Sequence, residues 1–157
     1  MGYQSDFVRA FGGNFVADGV PHRKVIDLTN AEIKALRASP KTLVPAPGAG
    51  YFLQLDSLWL ILNAGTNVLS ESADNLVVEY ASGVDATAAI ETTGFIDQAV
   101  DQVAYYRGIN IATATAADIA NQGLQLFNTG DGEIAGNAAL DATMRVVVNY
   151  RIFKTGL

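Results

Sequence analysis

From Lys41 to Gly65 the chain reads KTLVPAPGAGYFLQLDSLWLILNAG. This stretch holds the longest apolar run and the only tryptophan, and it constrains the fold more than any other segment. Pro45-Ala46-Pro47-Gly48-Ala49-Gly50 makes a turn that is stiff and then loose. Tyr51 to Leu62 then reads as one long strand. Leu53 and Leu55 alternate with Gln54 and Asp56, which is the period of a strand with one wet face. At Ser57-Leu58 the phase slips, and Leu58, Trp59, Leu60, Ile61 and Leu62 run on without a break. A bulge near Asp56 to Leu58 accounts for the slip. The unbroken run predicts cover on both faces of that half of the strand, supplied by a short helix, the N-terminal segment or another subunit.

At 157 residues, half of them hydrophobic and 17% charged, the chain suits one globular domain with a real core. No apolar run approaches the roughly 18–20 residues of a membrane-spanning helix, so no membrane partner is expected. Met1 to Val20 lacks a basic stretch followed by an apolar one, so no secretory leader is expected. The chain has no cysteine, which excludes disulfides and thiolate chemistry and fits synthesis in a reducing cytosol. The net charge is −6. From Thr42 to Tyr106 there are eight acids and no lysine or arginine. Nucleic acid needs a contiguous basic face, so it is not expected as a partner.

Residues 1–23 read as an extended arm, and residues 24–157 as a single β-sandwich domain. The arm carries Phe7, Phe11 and Phe15 without a sustained period. Such a segment cannot bury its rings alone, so they are expected to dock on the body or on a neighbouring chain. Lys24 to Leu28 reads as a short strand. Thr29-Asn30-Ala31-Glu32 is a capping box opening a two-turn helix, with Ile33 and Leu36 as its apolar stripe and Pro40 as its stop. Leu76, Val78 and Tyr80 form the inward face of a later strand. Ile90 to Gln102 reads as a strand followed by one helical turn carrying Phe95 and Ile96. Val103 to Arg107 is a strand with Tyr105 and Tyr106 on opposite faces. Ala112 to Asn121 is either a short helix capped by Thr115 or a loop. Gly123 to Phe127 is a strand, and Asn128 to Gly132 is a turn. Asp141 to Phe153 is the cleanest strand, with Arg145 and Arg151 on its wet face, where cross-strand pairing of one of them with Glu79 is expected. Seven or eight strands, one confident helix and frequent turns predict an all-β antiparallel sandwich or jelly roll.

The residues offer little to chemistry. His22 is the only histidine and lies between Pro21 and Arg23. Acids occur singly, without the paired geometry of a glycosidase. Asp131 sits in a turn with only Glu133 nearby, too few acids for a calcium loop. No glycine-rich fingerprint suggests a cofactor. A non-enzymatic assembly or recognition protein is therefore expected, with no metal and no cofactor. The interface candidates are Phe7, Phe11, Phe15, Leu58, Trp59, Leu60, Arg145 and Arg151. A single tryptophan is also thin support for a sugar platform.

The run VIDLTNAEIKALRASPKTLVPAPGAGYFLQLDSLWLIL, followed by ADNLVVEY, LQLFNTGDGEIAGN and MRVVVNYRIF, resembles structural proteins of tailed bacteriophages, in particular capsid decoration or cement proteins. The resemblance spans Val25 to Phe153. It implies a small β-rich domain that sits on the icosahedral head, binds the major capsid protein and stabilises the shell, often as a homotrimer. It also implies location on the virion after synthesis in the host cytoplasm. A tail or baseplate component and a virion-displayed carbohydrate-binding module are the rival readings.

Overall fold

A computed structural model describes residues 18–70, 75–111 and 114–156. Among these residues there are ten strands: β1 (Pro21–Leu28), β2 (Lys41–Val44), β3 (Tyr51–Asn63), β4 (Leu69–Ser70), β5 (Asn75–Tyr80), β6 (Ile90–Glu91), β7 (Gln102–Arg107), β8 (Leu124–Asn128), β9 (Ala135–Gly136) and β10 (Thr143–Lys154). The same residues hold two short helices, α1 (Asn30–Lys34) and α2 (Ala116–Ile119). Every pairing is antiparallel.

The sheets are ordered β1-β10-β3-β7 and β2-β8-β5-β6, with β4-β9 as a separate ribbon. Set that ribbon aside and number the other eight strands along the chain. The two orders become 1-8-3-6 and 2-7-4-5. First pairs with last, second with seventh, third with sixth, fourth with fifth. A long antiparallel ribbon rolled onto itself produces this order, which is the jelly roll. The expected all-β sandwich is therefore present, with the jelly-roll connectivity.

The core lies between the sheets. Leu53, Leu58, Leu60, Leu62, Val146 and Val148 from one sheet meet Leu43, Leu76, Val78, Leu124 and Leu126 from the other, all fully buried. Helix α1 closes one end. Thr29 caps it as expected, accepting from the Glu32 backbone while Glu32 accepts from the Thr29 backbone. Too short to stand without packing, it buries Ile33 in this core, and Leu36 from the turn that follows joins it. Within Ala112 to Asn121, which the sequence leaves open between helix and loop, Ala116–Ile119 form the helix α2, and Thr115 N donates to Asp118 Oδ2 at 2.8 Å. The described residues thus hold two short helices where one was expected. Phe95 and Ile96 are buried as a turn after β6, without a helix.

The boundary of the expected arm also moves. Pro21, His22 and Arg23 pair with Arg151, Tyr150 and Asn149, so the sheet begins at Pro21 instead of Lys24. Proline is tolerated there because it is the first residue of an edge strand. Phe7, Phe11 and Phe15 lie outside the described residues.

The bulge is where the phase slip placed it. Asn149 pairs with Ser57 but Tyr150 pairs with Leu55, which leaves Asp56 as the extra residue in β3. Leu55 and Leu58 both face the core as a result. Gly108 packs against the strand here. Gly108 N donates to Asp56 O at 3.3 Å, and a Cβ on Gly108 would lie 2.0 Å from Leu55 O.

A buried polar hub ties the loops at the α1 end. The Asn137 amide accepts from Asn30 Nδ2 and from the backbone of Asp141 and Ala142, and it donates to Asp141 Oδ1 and to the carbonyls of Ala64 and Asn67. Asn137 takes a φ of 42°, a left-handed conformation that asparagine tolerates better than most residues. Asp141 in turn accepts from the Thr66 backbone and hydroxyl. These bonds, led by the Asn137 side chain, hold its carboxyl below the usual range.

Candidate interaction surface

The outer face of the β1-β10-β3-β7 sheet is the most unusual surface among the described residues. Strand side chains alternate, so the outward residues of each strand can be read directly from the register. Val25 lies opposite Val147, Val147 opposite Trp59, and Trp59 opposite Tyr105. These four residues form one apolar row across all four strands. The next row toward the α1 end is Asp27, Arg145, Ile61 and Val103. The row on the other side is Arg23, Asn149, Ser57 and Arg107.

Trp59 is 42% exposed, Tyr105 44% and Val103 62%. Among the described residues nothing lies over their rings and methyls. The Trp59 and Tyr105 rings lie 4.7 Å apart, centroid to centroid, tilted by 50°, within the range of favourable aromatic pairs. Val147 sits on a central strand between Val25 and Trp59, and its neighbours in the row hide it to 6%.

Among the described residues nothing covers the outer face of this half of β3, and the N-terminal segment expected as one possible cover lies outside them. In β3 the run alternates: Leu58, Leu60 and Leu62 point inward and are fully buried, while Trp59 and Ile61 point outward and are exposed. Leu58 and Leu60 are therefore core residues and are not interface candidates, because the register set by the bulge turns them toward the second sheet. Trp59 stays a candidate. Helix α1 does not supply the missing cover, since its apolar residues are in the core.

Arg145 and Arg151 both lie on the outer face, but neither meets Glu79. Arg145 Nε donates to Asp27 Oδ1 at 2.7 Å, and Arg151 Nε to Asp56 Oδ2 at 2.9 Å. The Arg145 hydrogen bond lowers the Asp27 pKa and raises that of Arg145. Glu79 belongs to the other sheet and accepts from Gln125 Nε2 at 2.7 Å. Sequence alone could not assign the acids to sheets. Val25, Val103, Tyr105 and Val147 were not singled out as surface, although their alternation with inward residues was readable. What joins them is the register.

Beside the row, a groove of about 500 Å³ opens at the α1 end of the same face. Ile61, Val103, Asp27 and Arg145 line it, with Asn63, Thr143 and Asp101 toward the far lip. Asp101 Oδ1 also accepts from the Ala64 backbone at 3.0 Å. Tyr80 is buried against the opposite side of the core. Burial pushes its hydroxyl up to about 12, and it donates to Leu53 O, so it acts as a packed, neutral hydrogen-bond donor.

Among the described residues, no three His, Cys, Asp or Glu side chains gather as a metal site, and no helix is long and apolar enough to cross a membrane. The surface carries exposed aromatic and aliphatic groups, with arginines at one margin. Contiguous exposed apolar surface of this kind marks interaction sites. No family model and no curated protein sequence matches the chain.

Proposed function

We propose that this domain is a non-enzymatic decoration, or cement, protein of a tailed-bacteriophage head. It binds the major capsid protein on the outside of the shell as a homo-oligomer and stabilises the particle. The observation that carries this reading is the apolar row Val25–Val147–Trp59–Tyr105 on one sheet of a jelly roll, in which Val25, Trp59 and Tyr105 are exposed. Such a surface calls for a protein partner, which in a homo-oligomer is another copy of the chain. The resemblance across Val25 to Phe153 supports the shell as what the oligomer then binds. Residues 1–17, with Phe7, Phe11 and Phe15, are assigned to reach neighbouring subunits. Many copies on a symmetric lattice let individually weak contacts add through avidity.

The test is electron microscopy of virions produced with and without the protein. Loss of density from the outside of the head, together with heads that break at lower temperature, supports the proposal. Loss of density from the tail or baseplate removes it in favour of a tail component.

A second reading is a glycan-binding module, favoured by the exposed Trp59–Tyr105 pair, since sugars stack on such rings. A glycan array with wild type and Trp59→Ala decides it. No binding by the wild type eliminates this reading.

A further inference from the structure

We infer that two copies of this chain associate face to face through the outer surface of the β1-β10-β3-β7 sheet, about a two-fold axis that runs across the strands between the Trp59 row and the Ile61 row. The inference goes beyond the capsid reading and stands whether or not the domain sits on a shell.

The order of rows along the strands carries it. Arg23 and Arg107 come first, then the aromatic pair, then Ile61 and Val103 in the groove, and last Asp101 at its far lip. Successive rows are about 7 Å apart. A two-fold axis across the strands reverses this order and keeps each strand over its own counterpart. Trp59 and Tyr105 of each copy then meet the Ile61–Val103 groove of the other. Arg107 of each copy comes over Asp101 of the other. The ridge and the recess lie on adjacent rows of one face, which is what a self-complementary contact requires.

The charges select this arrangement over others. Arg145 and Arg151 are already neutralised within the face by Asp27 and Asp56. Arg23 and Arg107 have no ion pair among the described residues. The surplus is therefore positive at one end of the face, with Asp101 exposed at the other. A partner of uniform sign matches one end and repels the other, whereas a second copy in reversed orientation matches both ends. An axis along the strands is disfavoured, because it sets Arg23 against Arg107.

Trp59 is the chain's only tryptophan, so its fluorescence reports this surface alone. The experiment is sedimentation of the full chain over a dilution series, with Trp59 emission recorded in parallel. The expected result is a dimer at about 100 μM chain that dissociates on dilution, with emission shifting to the red. Val103→Glu and Arg107→Glu each weaken association about ten-fold or more, with circular dichroism unchanged. The charge swap Arg107→Glu with Asp101→Lys restores it. A monomer at all concentrations overturns the inference, and so does a trimer or a dimer indifferent to these variants. Removal of residues 1–17 that reddens Trp59 without changing mass also overturns it, because the chain's own N-terminal segment would then be the cover.

Discussion

Trp59 and Tyr105 face each other across β3 and β7 on the water-exposed side of the sheet, with ring centroids 4.7 Å apart. Both rings stand on strands whose next inward residues, Leu60 and Ala104, pack toward the core. The pair is thus held rigidly while remaining open on its outer face. It adds local stability and presents an aromatic surface to water.

Replacing Tyr105 by alanine removes the ring pair but opens no core cavity. The expected cost is about 0.5–1.5 kcal/mol, at the lower end because both rings are partly solvated. Urea unfolding followed by circular dichroism measures it. A cost of several kcal/mol would mean that Tyr105 is covered in the folded protein.

Leu60→Ala and Ile61→Ala test the alternation in β3. Leu60 is fully buried, so its truncation leaves a cavity and costs about 2–5 kcal/mol. Ile61 points outward, so under dilute conditions its truncation changes stability by no more than about 0.5 kcal/mol. Equal effects at the two sites would refute the register.

Asn137→Ala strips the hub. It leaves Asn30 Nδ2 and the backbone N–H groups of Asp141 and Ala142 without their acceptor, and it places alanine at a positive φ. The expected loss is about 3 kcal/mol. That corresponds to a fall in Tm of roughly 6–12 °C for a domain of this size, read by calorimetry.

Acid weakens the fold through Glu32 and Asp141. Lys41 and the Thr29 backbone lower the Glu32 pKa from 4.5 to about 2, while Asn137 and Thr66 lower that of Asp141. The folded state therefore releases these protons more readily than the unfolded chain. Their stabilisation is complete above the unfolded values and fades as pH falls through the folded ones. Urea midpoints should drop below about pH 4.5 and keep dropping toward pH 2. Glu32→Gln and Asp141→Asn should each flatten that limb. Both carboxyls are largely solvated, so the slope is shallow.

Local signals located most of the elements. The Thr29–Glu32 capping box, the turn at Asn128 to Gly132, the strand at Val103 to Arg107 and the bulge at Asp56 each depend on residues close in sequence, and each was readable. The hub at Asn137 was not, because its partners lie up to 107 residues away. Arg145 was matched to Glu79 on charge alone, while the ladder places Asp27 opposite it. His22 to Arg23 read as arm because their pairing partners on β10 follow by more than a hundred residues.

The amino-acid order by itself determined that this is an antiparallel β protein with a long bent strand, since period, turn chemistry and the phase slip act over a few residues. Tertiary structure alone decided what the apolar run of that strand is for. Rolling the ribbon into a jelly roll put β10 and β7 on either side of β3. That turned Leu58, Leu60 and Leu62 into core and lined up Trp59 with Val25, Val147 and Tyr105. Period two fixes which residues share a face, but only the pairing of distant strands fixes which face meets the second sheet and which faces water.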